Sequence, residues 1–140
     1  MKNFLPKCIK SLESQNFDDS VEIIFIDDGS FDSSSQILDQ AVLANNNMKV
    51  FHKTNAGVAN ARNYGLQVAT GKYIAWVDPD DYITNDWWKV ISPLLKQNID
   101  MIYFDMIIKK GNMEYPRYFQ NKSYMLSHDE LCRELARGYR

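Results

Sequence analysis

The sequence has 140 residues, enough for one domain with its own core. Its 45% hydrophobic and 24% charged residues are those of a globular chain and exclude disorder. A formal net charge of −2 provides no basic field to recruit nucleic acid or acidic lipid.

Phe4, Leu5, Cys8, Ile9 and Leu12 recur at helical spacing, so the sequence opens inside a helix, with no signal-peptide core ahead of it. Residues 21–26 form a short, nearly continuous apolar run rich in isoleucine, as expected of a strand buried on both faces. Asp27-Asp28-Gly29-Ser30 stops it. Asp32 or a neighbouring serine then caps a helix through Ile37, Leu38, Ala41 and Val42. Asn45, Asn46 and Asn47 make a loop before a second strand, residues 48–52, and residues 57–69 form a helix rich in small side chains. Lys72 to Val77 reads as a third buried strand, halted by Asp78-Pro79-Asp80-Asp81.

Thr84 is expected to cap the next helix, with Trp87, Trp88, Val90, Ile91, Leu94 and Leu95, which Pro93 should kink or divide. Residues 101–108 read as a strand, 109–112 as a turn and 114–119 as an antiparallel partner. Ser127-His128-Asp129-Glu130 is a capping box opening a last helix. Strands alternating with helices over the first hundred residues predict an α/β fold: a mostly parallel sheet with helices on both faces, plus a C-terminal hairpin and helix, all in one domain, 1–140. No apolar run approaches the ~20 residues that cross a bilayer. Cys8 and Cys132 lack metal-ligand spacing and are expected to be free thiols in a reducing cytoplasm.

Both acidic clusters fall at the carboxyl ends of expected strands, where open α/β sheets bind ligands. Asp27-Asp28-Gly29-Ser30 by itself is equally a turn and a helix cap. Asp78, Asp80 and Asp81 are harder to explain locally, because three carboxylates in four residues repel one another. A hard cation such as Mg²⁺ or Mn²⁺ would make that arrangement favourable. Between the clusters, Gly57, Ala59, Ala61 and Gly65 leave a helix without bulk, able to approach the sheet or a ligand closely. Arg62 on that helix has two readings: a structural ion pair with a strand-end aspartate, or a bidentate donor to a diphosphate.

Three segments, taken in order, resemble glycosyltransferase family 2, whose members are inverting enzymes of the GT-A (Rossmann-like) fold. They are Ile26-Asp27-Asp28-Gly29-Ser30-Phe31-Asp32, then Asn55-x-Gly57 with Ala61-Arg62-Asn63-x-Gly65, then Tyr73-Ile74 followed by Asp78-Pro79-Asp80-Asp81. Residues 7–12, with Gln15 and Phe17, resemble the family's first helix, and the similarity covers residues 4 to about 105. The resemblance implies a nucleotide-sugar donor, expected to be uridine-diphosphate-linked, and a glycan or lipid-linked acceptor in cell-envelope polysaccharide synthesis. It implies that Asp28 reads the uracil ring N–H, supported by Asp27, within a donor site that includes Gly29, Ser30, Asn55, Gly57, Arg62 and Asp78. It also implies that Asp78 and Asp80, extended by Asp81, form a DxD motif holding the ribose and a diphosphate-bound Mg²⁺ or Mn²⁺.

Two departures qualify this. The family's buried first strand is absent ahead of Met1-Lys2-Asn3, and its general base is not recognisable among Asp105, Glu114, Asp129, Glu130 and Glu134. The expectation is therefore a donor-binding part, incomplete at both ends, that transfers no sugar alone and offers unpaired strand edges for self-association. The longer enzyme would be cytoplasmic, with membrane association open. Three alternatives remain: a Mg²⁺-binding receiver domain, a haloacid-dehalogenase-type phosphatase, and a remnant that binds donor without transferring it. His52 and His128 are expected to be structural, Trp87 and Trp88 core, and Tyr115, Tyr118 and Phe119 hairpin packing.

Overall fold

A computed structural model describes residues 2–117 apart from 98 and 103. The chain divides into two compact units, Met1–Asn98 and Ile99–Arg140. The first begins with α1, Leu5–Glu13, in which Leu5, Cys8, Ile9 and Leu12 form one buried stripe at i, i+3, i+4, i+7 spacing. Pro6 falls in the first turn, where its missing N–H leaves no helical bond unmade. Strand β1, Ile23–Asp27, leads into α2, Ser34–Ala44, and then into β2, Met48–His52. The Ser34 amide donates to Asp32 Oδ1 at 3.0 Å, so Asp32 satisfies the first free N–H of α2.

β1 and β2 pair in parallel, Ile23 against Met48 through Asp27 against His52. The two-residue period of a strand sends Ile23, Phe25, Met48 and Val50 to one face, where they pack with Leu5, Cys8, Ile9, Leu12, Leu38 and Ala41. This is the core of the unit, and each fully buried aliphatic side chain stabilises it by about 1.5–3 kcal/mol. The other face carries α3, Val58–Val68. Phe51 meets Tyr64 edge-to-face at 5.8 Å, and Gly65 lies over both Ile26 and Trp76. Helices therefore cover both faces of a parallel sheet, as in GT-A folds, although β1 is only partly buried.

The expected third strand does not form. Residues 74–77 lie outside any regular element, with Ile74 and Trp76 about half exposed. Among the described residues β1 pairs with β2 alone, and a strand exists only through its ladder of hydrogen bonds. The next helix, α4, also differs: it spans Trp87–Leu95, beginning after Asp86. Thr84 is not its cap, and its carbonyl instead accepts the Trp87 amide. Pro93 lies inside α4, which ends two residues later.

In the second unit, β3, Met106–Lys110, pairs antiparallel with β4, Met113–Arg117. The strand expected from residue 101 starts at Met106, and Lys109 and Lys110 belong to it instead of to the turn. Only Gly111 and Asn112 remain in the turn, with Gly111 at φ +59°, the left-handed conformation that two-residue hairpin loops require. Opposed Lys109 and Glu114 form an ion pair. The expected last helix with His128 and Cys132, and the hairpin residues Tyr118 and Phe119, lie outside the described residues.

Candidate functional site

The alternation that builds the core places Asp27 and His52 beyond its last apolar residues, side by side in register. Asp27 is 5% exposed. Its Oδ1 accepts the Ser30 amide at 3.0 Å, while Oδ2 accepts the Ser35 hydroxyl at 2.6 Å and lies 2.8 Å from His52 Nδ1. Burial, the largest influence, works to raise the carboxyl pKa. The bonds from Ser30, Ser35 and His52 together outweigh it and hold Asp27 below the usual carboxylate range. His52 Nε2 reaches Asp39 Oδ1 at 2.9 Å, so the ring bridges β1 and α2, a structural role. Asp27, then Asp39, raise the His52 pKa against a small desolvation.

The sign of that shift gives a pH dependence. His52 contributes stability that is full below its unfolded pKa of ~6.5 and is lost as pH rises through the higher folded value. The ring is partly exposed, so solvent screening limits the contribution to about 1 kcal/mol. Urea denaturation should show the wild type losing that much between pH 6 and 8.5, and His52→Gln should lack the slope. The buried Cys8 thiol, pushed up to about 11 by desolvation and by Asp81 and Asp80, adds a loss only from about pH 9 upward. An equal slope in His52→Gln would remove His52 from the account.

Asp28, one residue on, faces the opposite side. Its Oδ1 accepts the Ala56 amide at 3.0 Å and pairs with Lys53 Nζ, and its Oδ2 accepts the Gly57 amide at 2.7 Å. Lys53 also donates to the Thr54 carbonyl at 3.0 Å. The Lys53 ammonium first, and the two amides with it, lower the Asp28 pKa against the opposing loss of solvation. Gly29 adopts φ +73°, and a Cβ there would stand 2.8 Å from the Asn55 nitrogen. The loop after β1 and the loop before α3 therefore touch through a residue that must lack a side chain. Gly57, at φ +88°, occupies the N-cap position of α3.

Arg62, one turn into α3, donates to Asp78 Oδ1 at 2.9 Å, with both side chains about half exposed. The structural ion-pair reading of Arg62 is thus realised. The Asp81 amide closes a turn on the Asp78 carbonyl at 2.9 Å. Partial burial, then Asp80 and Asp78, raise the Asp81 pKa, so the three carboxylates sense one another and a cation beside them would relieve the repulsion. Among the described residues no three His, Cys, Asp or Glu groups form a ready cage for a metal ion. Mg²⁺ is commonly held by one or two carboxylates together with substrate phosphates, and the exposed turn 78–81 fits that mode.

The candidate residues thus fall into two linked groups: Asp27, Asp28, Gly29, Ser30, Asn55 and Gly57 at the strand ends, and Arg62 with Asp78, Asp80 and Asp81 beside them. Lys53 was not foreseen. Its signal is positional, because it follows His52 as Asp28 follows Asp27, and parallel register makes them neighbours.

The sequence profile of Glycosyl transferase family 2 matches residues 2–137. The glycosyltransferase GlyG of Streptococcus pneumoniae serotype 4 is 31% identical over 138 residues, covering 95% of this chain and 43% of GlyG. The minor teichoic acid biosynthesis protein GgaB of Bacillus subtilis strain 168 is 31% identical over 113 residues, 77% of this chain and 13% of GgaB. A crystal structure of S. aureus TarS, residues 1–349, superposes with TM-score 0.63 at 29% identity, covering 69% of this chain and 29% of that one. The chain spans less than half the length of these relatives. Its fold is the GT-A-type α/β fold, and the receiver and phosphatase readings fall away. The chain belongs to glycosyl transferase family 2.

Proposed function

We propose that this chain is the donor-binding part of a glycosyltransferase that takes a uridine-diphosphate sugar with Mg²⁺ or Mn²⁺ and serves cell-envelope glycan synthesis. The observation that carries the reading is that α3 links the two acidic clusters: Asp28, at the carboxyl end of β1, accepts the Gly57 amide at the start of α3, and Arg62, one turn on, donates to Asp78 of the acidic turn. Family membership and the name of GgaB support the sugar-transfer context.

Each residue then has a task. Asp28 already accepts from Lys53, Ala56 and Gly57, and an ionised carboxylate offers about four acceptor positions, leaving one for a ring N–H. Asp80 and Asp81, with Asp78, would hold the cation, which when bound neutralises the diphosphate leaving group as charge grows on it. Arg62, exposed and in reach of the same turn, exchanges Asp78 for a diphosphate oxygen or bridges the two. In an inverting transfer the acceptor oxygen bonds to the anomeric carbon as the bond to the diphosphate breaks. The acceptor proton goes to a general base.

Calorimetric titration with Mn²⁺ and either uridine or cytidine diphosphate tests the reading. Cytosine lacks the ring N–H, so the wild-type chain should prefer the uridine nucleotide by roughly tenfold. Asp28→Ala should weaken uridine diphosphate and narrow that preference. Equal loss for both nucleotides would reduce Asp28 to a brace for residues 56 and 57.

A further inference from the structure

Two polar side chains are buried at the end of the first helix, Ser11 within α1 and Gln15 two residues beyond it. Ser11 and Gln15 are 9% and 7% exposed, yet neither touches the acidic residues directly. Both are committed to the segment that follows them. Ser11 Oγ donates to the Cys8 carbonyl at 2.7 Å and accepts the Ile83 amide at 3.2 Å. Gln15 Nε2 donates to the Thr84 carbonyl at 2.9 Å and to the Ser11 carbonyl at 3.1 Å, while its Oε1 accepts the Trp88 amide at 3.0 Å. Lys7 Nζ lies 3.6 Å from the centre of the Tyr82 ring, and Phe17 meets Trp88 edge-to-face at 5.4 Å.

Residues 78–86 have no strand ladder or helix of their own, so their backbone groups must find partners elsewhere. α1 supplies them. A glutamine donates and accepts at once, which lets Gln15 bind a carbonyl at residue 84 and an amide at residue 88 and so fix the span between them.

We propose that Ser11 and Gln15 are positioning residues that hold the segment after the acidic turn, and so present Asp78, Asp80 and Asp81 for the metal–diphosphate unit. The inference rests on the donor-binding reading above. It adds that affinity for the metal nucleotide depends on two side chains, Ser11 of α1 and Gln15 just beyond it, that never meet it. Loss of either leaves the core stripe of α1 intact and frees the turn to sample other geometries, and a loosely held ligand set binds more weakly.

Three variants of the full chain test it: Gln15→Met, Ser11→Ala and, as a control, Met48→Ala. Met48 is buried in the same core, at the start of β2, and among the described residues makes no hydrogen bond to the acidic turn or the segment after it. Mn²⁺ with uridine diphosphate is titrated calorimetrically, well below each melting temperature. Gln15→Met should weaken binding about tenfold or more and Ser11→Ala by severalfold, whereas Met48→Ala should stay within about twofold despite its lower stability. Amide hydrogen exchange gives a second readout that needs no ligand. In Gln15→Met, exchange should quicken at Ile83 and Trp88 while the amides of β1 and β2 keep their protection. Unchanged exchange at Ile83 and Trp88, or equal weakening of binding in Met48→Ala, overturns the proposal. If the wild-type chain itself binds no uridine diphosphate, the donor reading and the positioning role both fall. The exchange data then report only whether the clamp exists.

Discussion

Asp80→Ala is expected to abolish the rise in melting temperature that uridine diphosphate with Mn²⁺ gives the wild-type chain. Ligand at a hundred times its dissociation constant stabilises a folded state by about 2.7 kcal/mol. For a compact unit of this size that corresponds to a rise of about 10 °C. Asp78 is already committed to Arg62, while Asp80 stands exposed in the turn that the Asp81 amide closes. Removing Asp80 leaves the cation one carboxylate that is shared with a guanidinium and another whose pKa is raised by burial and by its acidic neighbours. Differential scanning fluorimetry of both proteins, with nucleotide alone, Mn²⁺ alone and the two together, separates metal dependence from simple anion binding. The rise should need both components in the wild type. The same rise in Asp80→Ala would remove Asp80 from the metal site, and a rise with nucleotide alone would remove the metal.

The second large effect is on stability. Asp27→Ala should cost about 3 kcal/mol, because it leaves the Ser30 amide, the Ser35 hydroxyl and His52 Nδ1 facing an apolar stub. The dependence on pH follows from the lowered pKa of Asp27. Its contribution is present above the unfolded value of ~3.9 and is lost as pH falls through the folded value. Urea denaturation should therefore show a large gap between wild type and Asp27→Ala at pH 6 that narrows below pH 4. A difference under about 1 kcal/mol at pH 6 would mean that the loop between β1 and α2 finds other partners. Asp27→Asn should fall between the two proteins, since its amide oxygen can still accept one of the bonds.

Much of this architecture is legible in the order of residues. The stripe Leu5, Cys8, Ile9, Leu12 gives α1, the isoleucine-rich run gives β1, and the small side chains after Asn55 give α3, because local periodicity decides which face of each element can be buried. The two acidic clusters are legible for the same reason, as each stops an apolar run. Period alone also made a strand of residues 72–77 and set the hairpin strand five residues early, at 101 instead of Met106. In both places local pattern was right about apolar character and silent about pairing. A ladder needs a partner in register, and that is a property of the assembled chain.

The site shows the same division. Asp78, Asp80 and Asp81 stand out in the sequence as carboxylates gathered against their own repulsion, and Asp28 and Arg62 by their places in the motifs before them. What the sequence leaves open is which neighbour each one takes. Parallel register puts His52 beside Asp27 and the next residues, Lys53 and Asp28, in contact, one turn of α3 brings Arg62 to Asp78, and Ser11 and Gln15 reach across about seventy residues of chain to hold the loop after the acidic turn. Residue type and spacing determine the chemistry available to this protein. The selection of partners belongs to the tertiary fold, because hydrogen bonds and ion pairs act over a few ångströms and only packing brings distant residues within that range.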